Sequence, residues 1–193
     1  MLGLKLPTDP RWANIAEKNI ADILVDHAWC EQKAATMAIS LIVTNPDKME
    51  LIEEMTGLAR EEMAHFKMVM DKIKKYGFSF GAQRPDLYVQ KLYKFFPKGG
   101  TRTDGLVHNL LVAALIEARS CERFRLLSEE LSDPELAQFY RDLMKSEAGH
   151  YTMFLKFARG YDDLEKVNKK WEALLQYEAK IMQELGKHES VHG

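Results

Sequence analysis

Two short motifs in the sequence have the residue types and spacing to hold a metal ion. Glu62-Met63-Ala64-His65 and Glu147-Ala148-Gly149-His150 each place a carboxylate three residues before an imidazole. On a helix that spacing puts both groups on one face, where they can grip the same cation. Alone the pattern is weak. A third copy, Glu189 to His192, sits in the C-terminal tail, and an isolated pair is more simply a solvated glutamate beside a surface or core histidine. Two further glutamates change the reading. Glu31 stands 14 residues before Asn45 and Glu62 stands 16 after Pro46, while Glu117 stands 15 before Ser132 and Glu147 stands 13 after Pro134. If those prolines mark the turns of antiparallel helical hairpins, Glu31 meets Glu62 and Glu117 meets Glu147, all at mid-helix height.

The neighbours of these glutamates are small and apolar: Ala28, Ala34 and Ala35 around Glu31, and Ala113, Ala114 and Ala118 around Glu117. Carboxylates on such faces cost several kcal/mol unless they are paired or metal-bound. Glu31, Glu62, His65, Glu117, Glu147 and His150 together form the inward-facing donor set of di-iron or di-manganese carboxylate bundles.

The elements that must position them read as helices. No Gly or Pro interrupts Trp12 to Thr44, and apolar residues recur there at three- and four-residue spacing. Asp9-Pro10 supplies a start signal, and Asn45-Pro46 a stop that also opens the next helix. That second helix is expected from about Pro46 to Tyr76, ending at Gly77. A third is expected from about Asp104 to Leu131, and a fourth from Pro134 to about Arg159, before Gly160. A fifth spans Asp162 to Leu185, with residues 187–193 left as a flexible tail. Two hairpins joined by the long segment 77–103 predict an all-α, ferritin-like four-helix bundle with one long crossover connection and an additional C-terminal helix. The 193 residues fit a single domain spanning 1–193.

Several neighbouring residues compete for a role. Glu122 also lies on the third helix, but five residues beyond Glu117 is about 7.5 Å along the axis. Glu117 is therefore favoured as the ligand, with Glu122 pairing to Arg119, Arg123 or Arg125. His27, one turn before Glu31, reads as a hydrogen-bonded core or rim histidine, and His108 as structural. Glu61 could orient a ligand histidine from behind, although a solvated glutamate fits equally. Tyr140 reads as core packing, and the methionines of the second helix as core filler. Only Cys30 and Cys121 are present, which excludes a disulfide framework and fits a reducing, cytoplasmic setting. No apolar run approaches the roughly 20 residues of a membrane span.

The connecting segment is compositionally distinct. Between residues 72 and 102 lie eight basic residues, Lys72, Lys74, Lys75, Arg84, Lys91, Lys94, Lys98 and Arg102, against the single acid Asp86. That net +7 sits in a chain whose formal charge is −2. Tyr76, Phe78, Phe80, Tyr88, Tyr93, Phe95 and Phe96 are interleaved with it. Basic residues among aromatics suit a phosphate backbone with unstacked bases, as RNA loops present. An aromatic cap on the bundle with solvated lysines would have the same composition.

The stretches DHAWCEQKAA around Glu31, REEMAHF around Glu62 and His65, EARSCERF around Glu117, and KSEAGHY around Glu147 and His150 resemble the tRNA hydroxylases of the MiaE family. The resemblance runs from about Leu6 to the end of the fifth helix. It implies a non-haem di-iron monooxygenase that uses O2 as co-substrate. Its substrate would be the isopentenyl group of 2-methylthio-isopentenyl-adenosine beside the tRNA anticodon. It implies two iron ions on the six ligands, with no catalytic residue beyond them. The expected partners are the tRNA anticodon arm, contacted by Lys74, Lys75, Arg84, Lys91, Lys94 and Lys98, and an external electron donor or reductase. No membrane association is expected, and the expected state is a monomer. A ferritin-like iron-storage or peroxide-reducing protein would share the ligands, while a metal-free helical module would leave four mid-helix glutamates unexplained. A peroxidase of the rubrerythrin type would be expected to carry another third-helix carboxylate, where Ser120 stands, and a Cys-x-x-Cys module.

Overall fold

Among the described residues, prolines, glycines and caps mark off seven helices: α1 (Trp12–Lys18), α2 (Ile20–Thr44), α3 (Met49–Lys75), α4 (Leu87–Tyr93), α5 (Arg102–Glu130), α6 (Pro134–Tyr161) and α7 (Leu164–Leu185). The computed structural model describes residues 2–97, 99–185 and 191, and there is no strand among them. Most of the expected tail, 187–193, lies outside the described residues. Val191 is described, is buried, and donates its N–H to Asp26.

Two compact units emerge. One contains α2 and α3. Its turn differs from the expected stop-and-start device. Lys48 N–H bonds to the Asn45 carbonyl at 3.2 Å, so Pro46 sits at the second position of a β-turn and the helix begins at Met49. Asn45 steadies the turn by donating its side-chain amide to the Leu41 carbonyl at 2.9 Å. At the other end of α3, Gly77 takes a φ of +71°. The Phe78 N–H reaches the Ile73 carbonyl and the Gly77 N–H the Lys74 carbonyl, a Schellman closure.

The other unit contains α1 and α4 to α7. The helix expected without interruption from Trp12 breaks at Asn19 (φ −121°, ψ 33°). Asparagine is a weak helix former, and the packing of α1 supplies the reason for the break. The buried Trp12 ring lies 4.3 Å below the Arg123 guanidinium of α5, within cation–π range. The crossover is also not wholly irregular. Asp86 accepts from the Val89 N–H and caps α4, whose Tyr88 and Leu92 are fully buried.

α5 starts earlier than expected, behind a capping box in which Thr101 and Asp104 satisfy each other's backbone N–H groups. Pro134 opens α6 as expected, and Asp133 accepts from the Glu135 and Leu136 N–H groups at 2.8 and 3.2 Å. Gly160 does not stop this helix, which runs on to Tyr161. Replacing Asp133 by Ala should cost about 1 kcal/mol. A thermal melt should show that as a fall of roughly 2–4 °C for a chain of this size.

Candidate metal centre

On the α2–α3 hairpin the level-matching of Glu31 and Glu62 holds, since Glu31, Glu62 and His65 each offer a ligand atom within 4.8 Å of the others. His65 Nδ1 lies 3.5 Å from Glu62 Oε2 and 3.7 Å from Glu31 Oε2. Glu61 stands at the opposite ring nitrogen, Nε2, at 3.9 Å, an ion-pair distance too long for a hydrogen bond. His27 is fully buried, with Nε2 only 2.6 Å from Glu31 Oε1, so the expected core histidine also orients a candidate ligand.

The electrostatics follow from those contacts. Burial alone would raise the Glu31 carboxyl, but the hydrogen bond with His27 and the nearby His65 imidazole outweigh it and hold the group below the usual carboxylate range. Burial alone would lower His65, and its contacts with Glu31 and Glu62 push it up to about 10 instead. Imidazole and carboxylate each stabilise the charged form of the other.

The α5–α6 hairpin carries Glu117, Glu147 and His150. Glu117 and His150 offer ligand atoms within 4.8 Å of each other, and Glu147 lies one turn before His150 on the same helix. None of the four glutamates, on either hairpin, is more than 4% exposed. Oxygen donors on one helix facing oxygen and imidazole donors on the next suit a hard or borderline divalent cation. Each hairpin's donors therefore fit part of a carboxylate–imidazole metal site. Tyr140 packs as core, its ring centroid 5.3 Å from those of Phe124 and Phe139. The Cys121 thiol points to the Met144 carbonyl, and burial followed by the Glu147 charge pushes it up to about 11, an inert protonated thiol at neutral pH.

Glu122 is drawn elsewhere. Its carboxylate accepts from the Thr8 N–H and hydroxyl, both at 2.7 Å, and from Arg119. Arg119 continues to Glu178 of α7 at 2.6 Å, to the Leu6 carbonyl at 2.9 Å and to Thr8, while the Tyr88 hydroxyl donates to Glu178 at 3.1 Å. The Arg119–Glu122 pair follows the sequence reading. Its depth does not, because Arg119, Glu122 and Glu178 are all buried. Sequence reasoning missed Glu178, Tyr88 and Thr8, for which only the Arg119-x-x-Glu122 spacing gives a local hint.

The expected tRNA contacts divide between the two units. Lys74 and Lys75 are exposed at the end of α3, and Arg84 pairs with Asp22 at 2.7 Å. In the other unit Lys94 is exposed and Lys91 pairs with Glu184, while Lys98 lies outside the described residues. Not all seven aromatics are available for stacking on bases. Tyr88 is fully buried, and Phe80 stacks on Trp29 at 4.9 Å.

Fold and donor residues together define an all-α, ferritin-like protein with buried carboxylate–imidazole groups on two hairpins. The family model described as tRNA-(MS[2]IO[6]A)-hydroxylase (MiaE) matches residues 2–193, and the chain belongs to that family. It is 40% identical over 160 residues to the tRNA 2-(methylsulfanyl)-N(6)-isopentenyladenosine(37) hydroxylase of Pseudomonas putida, covering 83% of this chain and 77% of that one. A protein of the same name from Salmonella typhimurium is 27% identical over 205 residues, covering 81% and 75%. Among solved structures, Protein 43 with aldehyde deformylating oxygenase activity from Synechococcus superposes with a TM-score of 0.91 at 32% identity. That match covers 98% of this chain and 95% of the other. Among the described residues, no helix is long and apolar enough to cross a membrane.

The Arg119 network makes its charges costly to remove, because Arg119, Glu122 and Glu178 are buried together. Arg119→Met should cost roughly 3–5 kcal/mol by stranding two buried carboxylates. Glu122→Gln should cost less but measurably, lowering the urea midpoint while leaving iron content per folded chain unchanged.

Proposed function

We propose that this protein is an O2-dependent hydroxylase of tRNA. It acts on the isopentenyl group of 2-methylthio-isopentenyl-adenosine next to the anticodon, with Glu31, Glu62, His65, Glu117, Glu147 and His150 holding two irons. The observation that carries the reading is the burial of Glu31, Glu62, Glu117 and Glu147 on two hairpins, each hairpin with an imidazole three residues after one of them, in a chain that the family model spans. Iron bound there would supply O2 binding and the oxidising chemistry that no protein side chain provides. The reaction consumes one O2, two electrons and two protons, placing one oxygen atom in the substrate hydroxyl and the other in water.

The chain's own residues bind, orient and exclude water. His27 holds the Glu31 carboxylate through its 2.6 Å contact, and Glu61 stands behind His65. The apolar faces around Ala28, Ala35, Ala114 and Ala118 are buried and so help to keep water from the donors. The two electrons come from an external donor, and the protein works as a monomer in the cytoplasm. Lys74, Lys75, Arg84, Lys91, Lys94 and Lys98 meet phosphates of the anticodon arm. The iron-storage or peroxide-reducing alternative is not favoured, because both named relatives are tRNA hydroxylases.

Mass spectrometry of tRNA nucleosides from cells with and without the protein tests the reading. The hydroxylated nucleoside should disappear with the gene, and its persistence would overturn the assignment. Purified protein should contain two irons per chain by metal analysis. Ala substitutions at Glu62, His65, Glu147 or His150 should each lower that content and abolish hydroxylation. Full iron occupancy in both Glu62→Ala and Glu147→Ala would remove these residues from the ligand set. Changing Lys91, Lys94 and Lys98 together to Ala should flatten the log–log salt dependence of tRNA affinity by about two units, at about 0.7 per single-stranded phosphate contact.

A further inference from the structure

An open groove of about 590 Å³ lies where the end of the crossover, the start of α5 and the first turns of α7 meet. Its size falls within the range of small-molecule sites. One wall is aromatic. Phe95 and Phe96 pack edge to face at 4.9 Å, and Phe96 stacks on the His108 ring at 4.0 Å with only 13° between planes. The opposite wall is cationic, built from Lys166, Lys169 and Lys170 of α7. Between the walls runs bare backbone. Gly99 and Gly100 have φ of +93° and +101°, and a side chain at Gly100 would meet Asp104 Cβ at 3.3 Å. The described lining carries three ammonium groups and the carboxylate of Asp104, and Asp162 and Glu165 stand beside two of those ammonium groups.

That carboxylate is already engaged. Asp104 accepts from Thr101 in the capping box and from Lys170 at 3.2 Å, and it lies 3.5 Å from Lys166. Lys170 also donates to His108 Nε2 at 3.2 Å, which ties the cationic wall to the aromatic one. Lys166 and Lys169 pair with Asp162 and Glu165, but their side chains remain 50% and 76% exposed. Exposed pairs of this kind exchange partners at little cost. The surface has charge for a phosphate and a flat ring stack for a base, the two elements of single-stranded nucleic-acid recognition.

We propose that this groove binds a nucleotide of the tRNA anticodon arm, with its phosphate on Lys166 and Lys169 and its base against the Phe96–His108 stack. The proposal rests on the tRNA-hydroxylase reading and names a part of the substrate that the site would read. His108 is nine residues before Glu117, roughly 14 Å and two and a half turns along α5, so the two residues point to opposite faces of the helix and the occupant is a nucleotide of the anticodon arm apart from the reacting one. A free nucleotide and a tRNA share the chemistry of phosphate and base, and the tRNA is the occupant proposed.

The test is a salt titration of tRNA affinity for the full chain. Lys166→Gln combined with Lys169→Gln should flatten the log–log slope by about 0.7, the loss of one phosphate contact. Lys67→Gln combined with Lys145→Gln removes the same formal charge elsewhere and should leave the slope as it is. Phe96→Leu should weaken tRNA binding about tenfold, with Phe96→Tyr retaining it. Because Lys166 and Lys169 are exposed, their variant stays folded even if Phe96→Leu does not, which thermal melts will show. Normal wild-type binding with an unchanged slope for Lys166→Gln/Lys169→Gln would overturn the proposal and leave the groove to an acidic protein partner. Failure of the wild type to bind tRNA at all would instead overturn the hydroxylase reading on which it rests.

Discussion

A carboxylate removed from water must find positive charge or donors close by, and most features of this structure answer that demand. Six glutamates, Glu31, Glu62, Glu117, Glu122, Glu147 and Glu178, are buried in helices that are otherwise apolar inside. Two are answered permanently by Arg119, whose planar fork reaches Glu122, Glu178 and two acceptors of the N-terminal segment. The other four face imidazoles. A guanidinium never deprotonates, so the first arrangement is a fixed structural tie. Imidazole can be protonated or metallated, so the second is suited to exchanging a proton for a cation.

The helices are shaped by the same need. Short side chains at Ala28, Ala35, Ala113, Ala114 and Ala118 are all buried beside the glutamates, leaving room for carboxylates that larger residues would fill. The turns set the register. A β-turn at Asn45–Lys48 and an Asp133-capped start at Pro134 bring Glu31 level with Glu62 and set Glu117 within reach of His150. Moving either turn by one residue would rotate a carboxylate by about 100° around its helix and away from its partners.

Where the chain's signals are local, they were legible. Period, proline and glycine located the long helices to within a few residues, and counting from the turns brought Glu31 to Glu62 before any coordinates. The misreadings share a cause. Asn19 breaks a helix whose periodicity continues, because Trp12 is held under Arg123, more than a hundred positions away. Pro46 occupies a turn where a first helical residue was expected, and only the Asn45–Lys48 hydrogen bond decides between those uses. Tyr88 read as one of seven ring-stacking candidates, yet its hydroxyl binds Glu178, 90 residues later. Contacts of that range leave no trace in a sliding pattern of apolar residues.

The two hairpins share a layout but not a charge balance. Four residues before Glu31 stands His27, and four residues before Glu117 stands the buried Ala113. On the α2–α3 hairpin two imidazoles, His27 and His65, lie by Glu31, whereas on α5–α6 the imidazole within ligand distance of Glu117 is His150. On the latter hairpin the Cys121 thiol, raised by burial and by Glu147, adds no charge at neutral pH. A methyl group at position 113 can neither donate to a carboxylate nor restrict its rotamer. Glu31 is oriented by a side chain of its own helix, while Glu117 gains no such restraint from the turn before it. Substitutions at Glu31 and Glu117 are thus unequal. Removing Glu31 strands a buried imidazole, whereas removing Glu117 relieves a carboxylate-rich hairpin of one negative charge.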